Sequence, residues 1–219
     1  FEGKSITLGG AAVTGGGDGS LLGDPYIMPY KGEANKLPDR RAFYRLFENE
    51  DIKINCFIDR KNIEVELMRY IKESEMKYAS KRLITEGYWC KAYSIESEGN
   101  LLTLNISKGR ISGNNGSPEY YTIIEKEEKI ESEKEKQLGG GITKQIIIEW
   151  KHSEHGNQSV MMNLYNNPQI QNGMSYKSQL YNRKESKGLM VKSEQASKYE
   201  LTSLRGGYLT NELKKKKLM

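Results

Sequence analysis

Cysteine, histidine, tryptophan and proline are all scarce in this chain of 219 residues, with two, two, two and five of each. Two cysteines cannot build the dense disulfide framework of a small secreted scaffold, which points to a protein assembled inside cells. Cys56 and Cys90 each fall in an expected strand, so one bridge between neighbouring strands and a pair of buried free thiols both fit. Two histidines leave few general bases, and no Gly-x-Ser-x-Gly pattern occurs, so serine-type hydrolysis has little to build on. No run approaches the roughly 18 consecutive apolar residues of a membrane-spanning helix. Neither sign of charge dominates: the net charge is +5, and Lys214, Lys215, Lys216 and Lys217 supply much of it. The chain starts at Phe1 without a basic-then-apolar leader and reads as a fragment or a processed product.

What is present is a modest apolar content, 36%, beside 29% charged residues and a mean hydropathy of −0.74. That balance implies a sound core together with solvated insertions or tails. Residues 1–22 are rich in glycine and read as a flexible arm; no Lys-Ser/Thr and helix follow to make a phosphate-cradling loop. From Gly23 to Lys192 the pattern is that of strands. Ile52, Ile54, Cys56 and Ile58 alternate with other residues, and Ile63 to Leu67 alternates too. Glu98-Gly99-Asn100 reads as a hairpin turn between aromatic and β-branched runs, and Thr143 to Trp150 as a buried strand. Met68 to Met76 fits one or two helical turns as well as a strand. The mixed-sign run Glu125 to Lys136 has a single Ile and reads as a solvated excursion within a charged insertion at about 125–141. Residues 166–188 look loop-rich, Leu189 to Lys192 looks like the last core strand, and Gln195 to Leu204 could form a helix. Residues 193–219 then read as a helical, basic tail ending in a short helix from Asn211 to Leu218. The expectation is a mainly β, antiparallel sandwich-like domain with a Gly-rich arm and a short C-terminal helix.

Few residues suggest chemistry. His152 and His155, flanking Glu154, make a His-x-x-His beside a Gly-Asn turn, but no second Cys/His pair stands at zinc-site spacing, so a polar turn is expected and no metal. Cys56 or Cys90 could pair with His152 as nucleophile and base, though nothing in the spacing favours it. Asp24 with Asp39 is too generic a carboxylate pair to carry hydrolysis. The four-lysine tail could touch nucleic acid or an anionic membrane; without interleaved aromatics it reads first as a solubilising tail. Fourteen tyrosines suit protein–protein packing better than catalysis.

The most constrained stretch is Gly23-Asp24-Pro25-Tyr26-Ile27-Met28-Pro29-Tyr30-Lys31-Gly32, continued by Leu37-Pro38 and Tyr44-Arg45-Leu46-Phe47-Glu48-Asn49. Proline fixes its own φ and extends the residue before it, so Asp24-Pro25 and Leu37-Pro38 read as turns, with Gly32 free to return the chain. The Gly-Asp-Pro-Tyr opening followed by Gly32 resembles the start of von Willebrand factor type D-like domains. The longer run resembles more the Gly-Asp-Pro-[His/Tyr]-Ile-x-Pro…Gly…Leu-Pro…Tyr-Arg-Leu-Phe-Glu-Asn pattern of virion-associated proteins of large double-stranded DNA viruses. Tyr26 stands where the extracellular family has His, and that family's cysteine framework and calcium loop have no counterpart here, so no calcium site is carried over. The viral resemblance implies a non-enzymatic minor capsid or virion component, located in the virion, needing no cofactor or small-molecule substrate and packing against other protein subunits. Gly23, Asp24, Pro25, Gly32 and Pro38 would hold the first turn, with Tyr26, Tyr30 and the lysine tail as contact candidates. The other resemblance implies an extracellular or cell-surface binding module.

Overall fold

The computed structural model describes residues 18–22, 25–60, 88–107, 110–115, 119–129, 142–165 and 173–210. Two seven-stranded antiparallel sheets face each other. The first contains β1 (Asp18–Leu22), β2 (Tyr26–Met28), β3 (Asn35–Lys36), β9 (Thr122–Lys129), β10 (Ile142–His152), β11 (Gly156–Tyr165) and β12 (Gly173–Lys177), in the order β3-β2-β1-β12-β11-β10-β9. The second contains β4 (Ala42–Asn49), β5 (Ile52–Arg60), β6 (Tyr88–Ser97), β7 (Asn100–Ser107), β8 (Arg110–Asn115), β13 (Glu200–Ser203) and β14 (Gly206–Tyr208), in the order β14-β13-β4-β5-β6-β7-β8. The mainly β sandwich expected from the alternation is therefore what the chain forms.

Side chains alternate across a strand, and that alternation sets what each sheet buries. Ile52, Ile54, Cys56 and Ile58 point inward from β5, opposite Ile95, Tyr93 and Cys90 of β6. Ile146, Ile148 and Trp150 do the same from β10, beside Val160 and Met162 of β11. Between the layers runs a chain of aromatic rings. Tyr121 lies 5.7 Å from Trp150, Trp150 lies 6.2 Å from Tyr176, and Phe47 meets Tyr176 edge-on at 4.9 Å and Tyr181 at 5.3 Å. Each such ring buries roughly 150–250 Å², and edge-to-face pairs add about 0.5–1.5 kcal/mol, so the Phe47–Tyr176 pair, from β4 and β12, ties the two sheets together.

Several sequence expectations need correction. The end of the glycine-rich arm is sheet: Asp18–Leu22 pairs with β12 on one side and β2 on the other. Gly19 allows this, because a Cβ there would stand 2.5 Å from the Cβ of Met190. The charged run is strand as far as Lys129, paired along β10; its exposed Glu125 and Lys126 suit a sheet edge that must not recruit another strand. The loop-rich span contains β12 and a 3-10 turn, Gln179–Asn182, capped by Ser178.

Leu189 to Lys192 is not a strand, although Leu189, Met190 and Val191 are buried. It is a turned strap whose Leu189 and Met190 N–H groups donate to the carbonyls of Arg45 and Leu46, while its Met190 and Val191 carbonyls accept from Tyr30 and Lys31. Its apolar content reported burial, which a strap satisfies as well as a strand does. Gln195 to Leu204 is likewise no helix: Ala196–Tyr199 makes one 3-10 turn and Glu200–Ser203 pairs with β4. Residues 200–208 thus belong to the second sheet rather than to a helical tail. Residues 1–17, Gly23, Asp24, the 68–76 segment, 130–141 and residues 211–219, where the sequence predicts a terminal helix with four lysines, lie outside the described residues.

Candidate functional site

The outer face of the first sheet carries the residues that its inward partners leave over. With Ile146 and Ile148 buried, Ile147 points outward; with Val160 and Met162 buried, so does Met161. The register then aligns Ile124 with Ile147, Ile147 with Met161, Met161 with Ser175, Ser175 with Ser20, and Ser20 with Met28. One row of outward positions therefore crosses six strands, about 24 Å at 4.8 Å per strand. It is apolar at both ends: Met28 is 43% exposed, and Ile124 and Met161 are each 36% exposed. Tyr26, two residues before Met28 and so on the same face, is 43% exposed as well. Polar rows flank this one, with Lys126, Gln145 and Asn163 on one side and Thr122, Glu149 and Ser159 on the other. Two apolar patches, Ile124–Ile147–Met161 and Tyr26–Met28, are thus joined through Ser175 and Ser20, and apolar side chains grouped on an outer face within polar surroundings suit a protein contact.

Part of the outer face of the second sheet, over β5 and β6, is covered by its own chain. Asn55 Nδ2 and Ser94 Oγ, from β5 and β6, both donate to the Leu204 carbonyl, at 2.9 Å and 2.6 Å, which holds the β13–β14 turn over the sheet. Arg45 is buried, pairs with Glu48 at 3.3 Å and lies under the Tyr208 ring. Tyr208 donates to Glu48 at 2.5 Å, and burial, with Glu48 adding to it, pushes its phenol well above the usual range.

Three turns meet at one end of the sandwich. Ser97 Oγ accepts from Trp150 Nε1 at 3.0 Å and lies 3.0 Å from Tyr120 Oη, which donates to Glu98 at 2.8 Å. Glu98 also takes the Ser153 hydroxyl and backbone N–H, and these bonds hold its carboxyl below the usual carboxylate range. Glu98 sits at φ 49°, in the tight turn between β6 and β7. In the β10–β11 turn, His152 is 1% exposed and its Nδ1 accepts from the N–H groups of Glu154 and His155, at 3.1 Å and 3.2 Å. This is the polar turn expected from the sequence, with the histidine acting as its cap. The ring of His155 stacks on His152 with centroids 4.5 Å apart, and ligand atoms of His155, Glu154 and Glu50 lie within 4.8 Å of one another.

The remaining sequence candidates separate clearly. Pro25 is buried, with its carbonyl accepting from Leu37 at 2.9 Å, and the Pro38 carbonyl accepts from Arg40 at 2.8 Å. Gly32 holds φ 102°, and a Cβ there would stand 2.7 Å from that of Ser193, so the position needs glycine twice over. Tyr26 faces outward as a contact residue should. Tyr30 is engaged internally instead, stacked on Tyr181 at 5.4 Å and donating to Asn182 at 2.6 Å. Cys56 and Cys90 are buried free thiols, and burial pushes the Cys56 thiol well up, which leaves it a poor nucleophile. Gly23, Asp24 and Lys214 to Lys217 lie outside the described residues.

Sequence reading missed the outward apolar row and the approach of Glu50 to the histidines. The first had a signal: Ile123-Ile124, Ile146-Ile147-Ile148 and Val160-Met161-Met162 each place apolar residues on consecutive positions, so one of each run must leave the core. The second had none, since Glu50 and His155 meet only through the fold. No protein-family model matches the chain, and no curated protein matches it.

Proposed function

We propose that this protein is a non-enzymatic structural subunit, a minor capsid or virion component of a large double-stranded DNA virus, that packs against other protein subunits. The observation that carries the reading is the outward row Ile124–Ile147–Met161–Ser175–Ser20–Met28, with Tyr26 beside it, on a sheet face that no described segment of the chain covers. Covering these side chains contributes on the order of 1 kcal/mol each, enough in sum to favour a neighbour without holding a complex by itself. The run from Gly23 to Asn49 adds the resemblance to virion-associated proteins. Pro25 directly precedes β2, whose alternation turns Tyr26 and Met28 outward on that face.

Sedimentation of the native source material, with mass spectrometry following this chain, tests the proposal. The expected result is comigration with a large particle that survives high salt. Recovery as a free protein of about the chain's own mass of 25.0 kDa would overturn it.

A further inference from the structure

We propose that the β4–β5 and β10–β11 turns together form a binding site for one divalent transition-metal ion of the zinc class, with His155, Glu154 and Glu50 as its protein ligands. The three ligand atoms lie within 4.8 Å of one another, a separation that small rotations of the two exposed glutamates reduce to the spacing of donors around one ion. An imidazole nitrogen with two carboxylates suits zinc-class ions better than calcium or magnesium, which take all-oxygen sets.

A second observation points the same way. Two of the buried polar atoms without a hydrogen-bond partner belong to the stacked histidine pair, the others being on Tyr44, Arg45, Asn49, Asn55 and Trp89. Nε2 of His155 is one. His152, 1% exposed and stacked on His155, leaves its own Nε2 unpartnered, because its Nδ1 already serves the turn. An orphaned buried polar group costs about 1–3 kcal/mol, so an unpartnered imidazole stacked on a candidate ligand calls for a partner there. A metal ion would take a His155 nitrogen, and its bound waters would offer a partner to the imidazole of His152 stacked on it. Three protein ligands leave a coordination position open, for water or for a donor from a neighbouring subunit. The ion would pin two turns from opposite sheets at the end of the sandwich where Ser153 and Glu98 already join β10–β11 to β6–β7.

The test uses the full chain without an affinity tag, so that His152 and His155 are the only imidazoles. Titration with Co2+ should give ligand-field absorption that saturates at one equivalent and is displaced by Zn2+ but not by Ca2+. Imidazole NMR with Zn2+ should move the His155 resonances far more than those of His152. Glu50→Gln and Glu154→Gln, both at exposed positions, should each weaken Zn2+ binding at least ~10-fold while leaving the melting temperature of the metal-free chain unchanged. Absence of Co2+ absorption with an unmoved His155 would overturn the proposal. So would undiminished binding in the Glu50→Gln/Glu154→Gln double variant, or a cobalt–thiolate charge-transfer band, which would assign the metal to Cys56 and Cys90.

Discussion

The outer faces of the two sheets solve the same problem in opposite ways. Each is the solvent side of a seven-stranded antiparallel sheet, where alternation should place polar residues. On the second sheet the outward Asn55 and Ser94 are buried, and the chain returning through β13 and β14 delivers the Leu204 carbonyl to the Asn55 amide N–H and the Ser94 hydroxyl. On the first sheet the outward Ile147 and Met161 break the alternation, and none of the described residues folds over them. A face covered by its own chain shows its partner as hydrogen bonds already made. The other face shows apolar side chains still in water, as our proposal of a subunit contact there expects.

The contrast can be broken most forcefully on the covered face. Replacing Asn55 and Ser94 together by Ala orphans the Leu204 carbonyl and opens small voids beneath it, and we expect a loss of about 3 kcal/mol in chemical denaturation. An unchanged midpoint would mean that the β13–β14 turn does not seal that sheet. Alkali tests the core beneath it. Burial pushes the Tyr44 phenol up to about 12, well above the ~10 of an unfolded chain. A raised folded value means that the stability is complete below about pH 10 and is lost as pH climbs toward 12. Tyrosinate absorbance should therefore rise in two stages, the second coinciding with unfolding; one smooth rise near pH 10 would contradict it. Tyr208→Phe removes the donor to Glu48 at a half-exposed site and should cost about 1 kcal/mol. The smallest effect on stability belongs to the uncovered face: Ile147→Thr with Met161→Thr should shift stability by less than about 0.5 kcal/mol, yet abolish comigration with the particle. A large destabilisation there would mean that these side chains are core after all.

Much of the architecture was legible because alternation and turn chemistry are local. Ile52 to Ile58 and Thr143 to Trp150 announced strands, and Glu98-Gly99 announced a two-residue hairpin. What misled were segments whose fate is decided by distant contacts. Leu189 to Val191 looked like a strand because it is apolar, but its backbone is held by Arg45, Leu46, Tyr30 and Lys31. Gln195 to Leu204 looked helical, but pairing with Phe43 and Tyr44 turns its second half into β13. The histidine turn was legible as a turn from His152 to Gly156; the nearness of Glu50 was not, because about a hundred residues of chain separate them. Of the two tyrosines singled out beside the first turn, the sequence offered no way to tell the outward Tyr26 from the internally stacked Tyr30.

The central claim is that the outer face of the first sheet is a subunit contact, and methionine oxidation footprinting reads it directly. Met28 and Met161 lie on that face, at 43% and 36% exposure, while Met162 and Met174 lie beneath it and serve as internal controls. Peroxide treatment of the free chain and of the intact particle, followed by mass spectrometry, should show Met28 and Met161 oxidised rapidly in the first and protected in the second, with Met162 and Met174 slow in both. Equal oxidation of Met28 and Met161 in chain and particle would contradict the account.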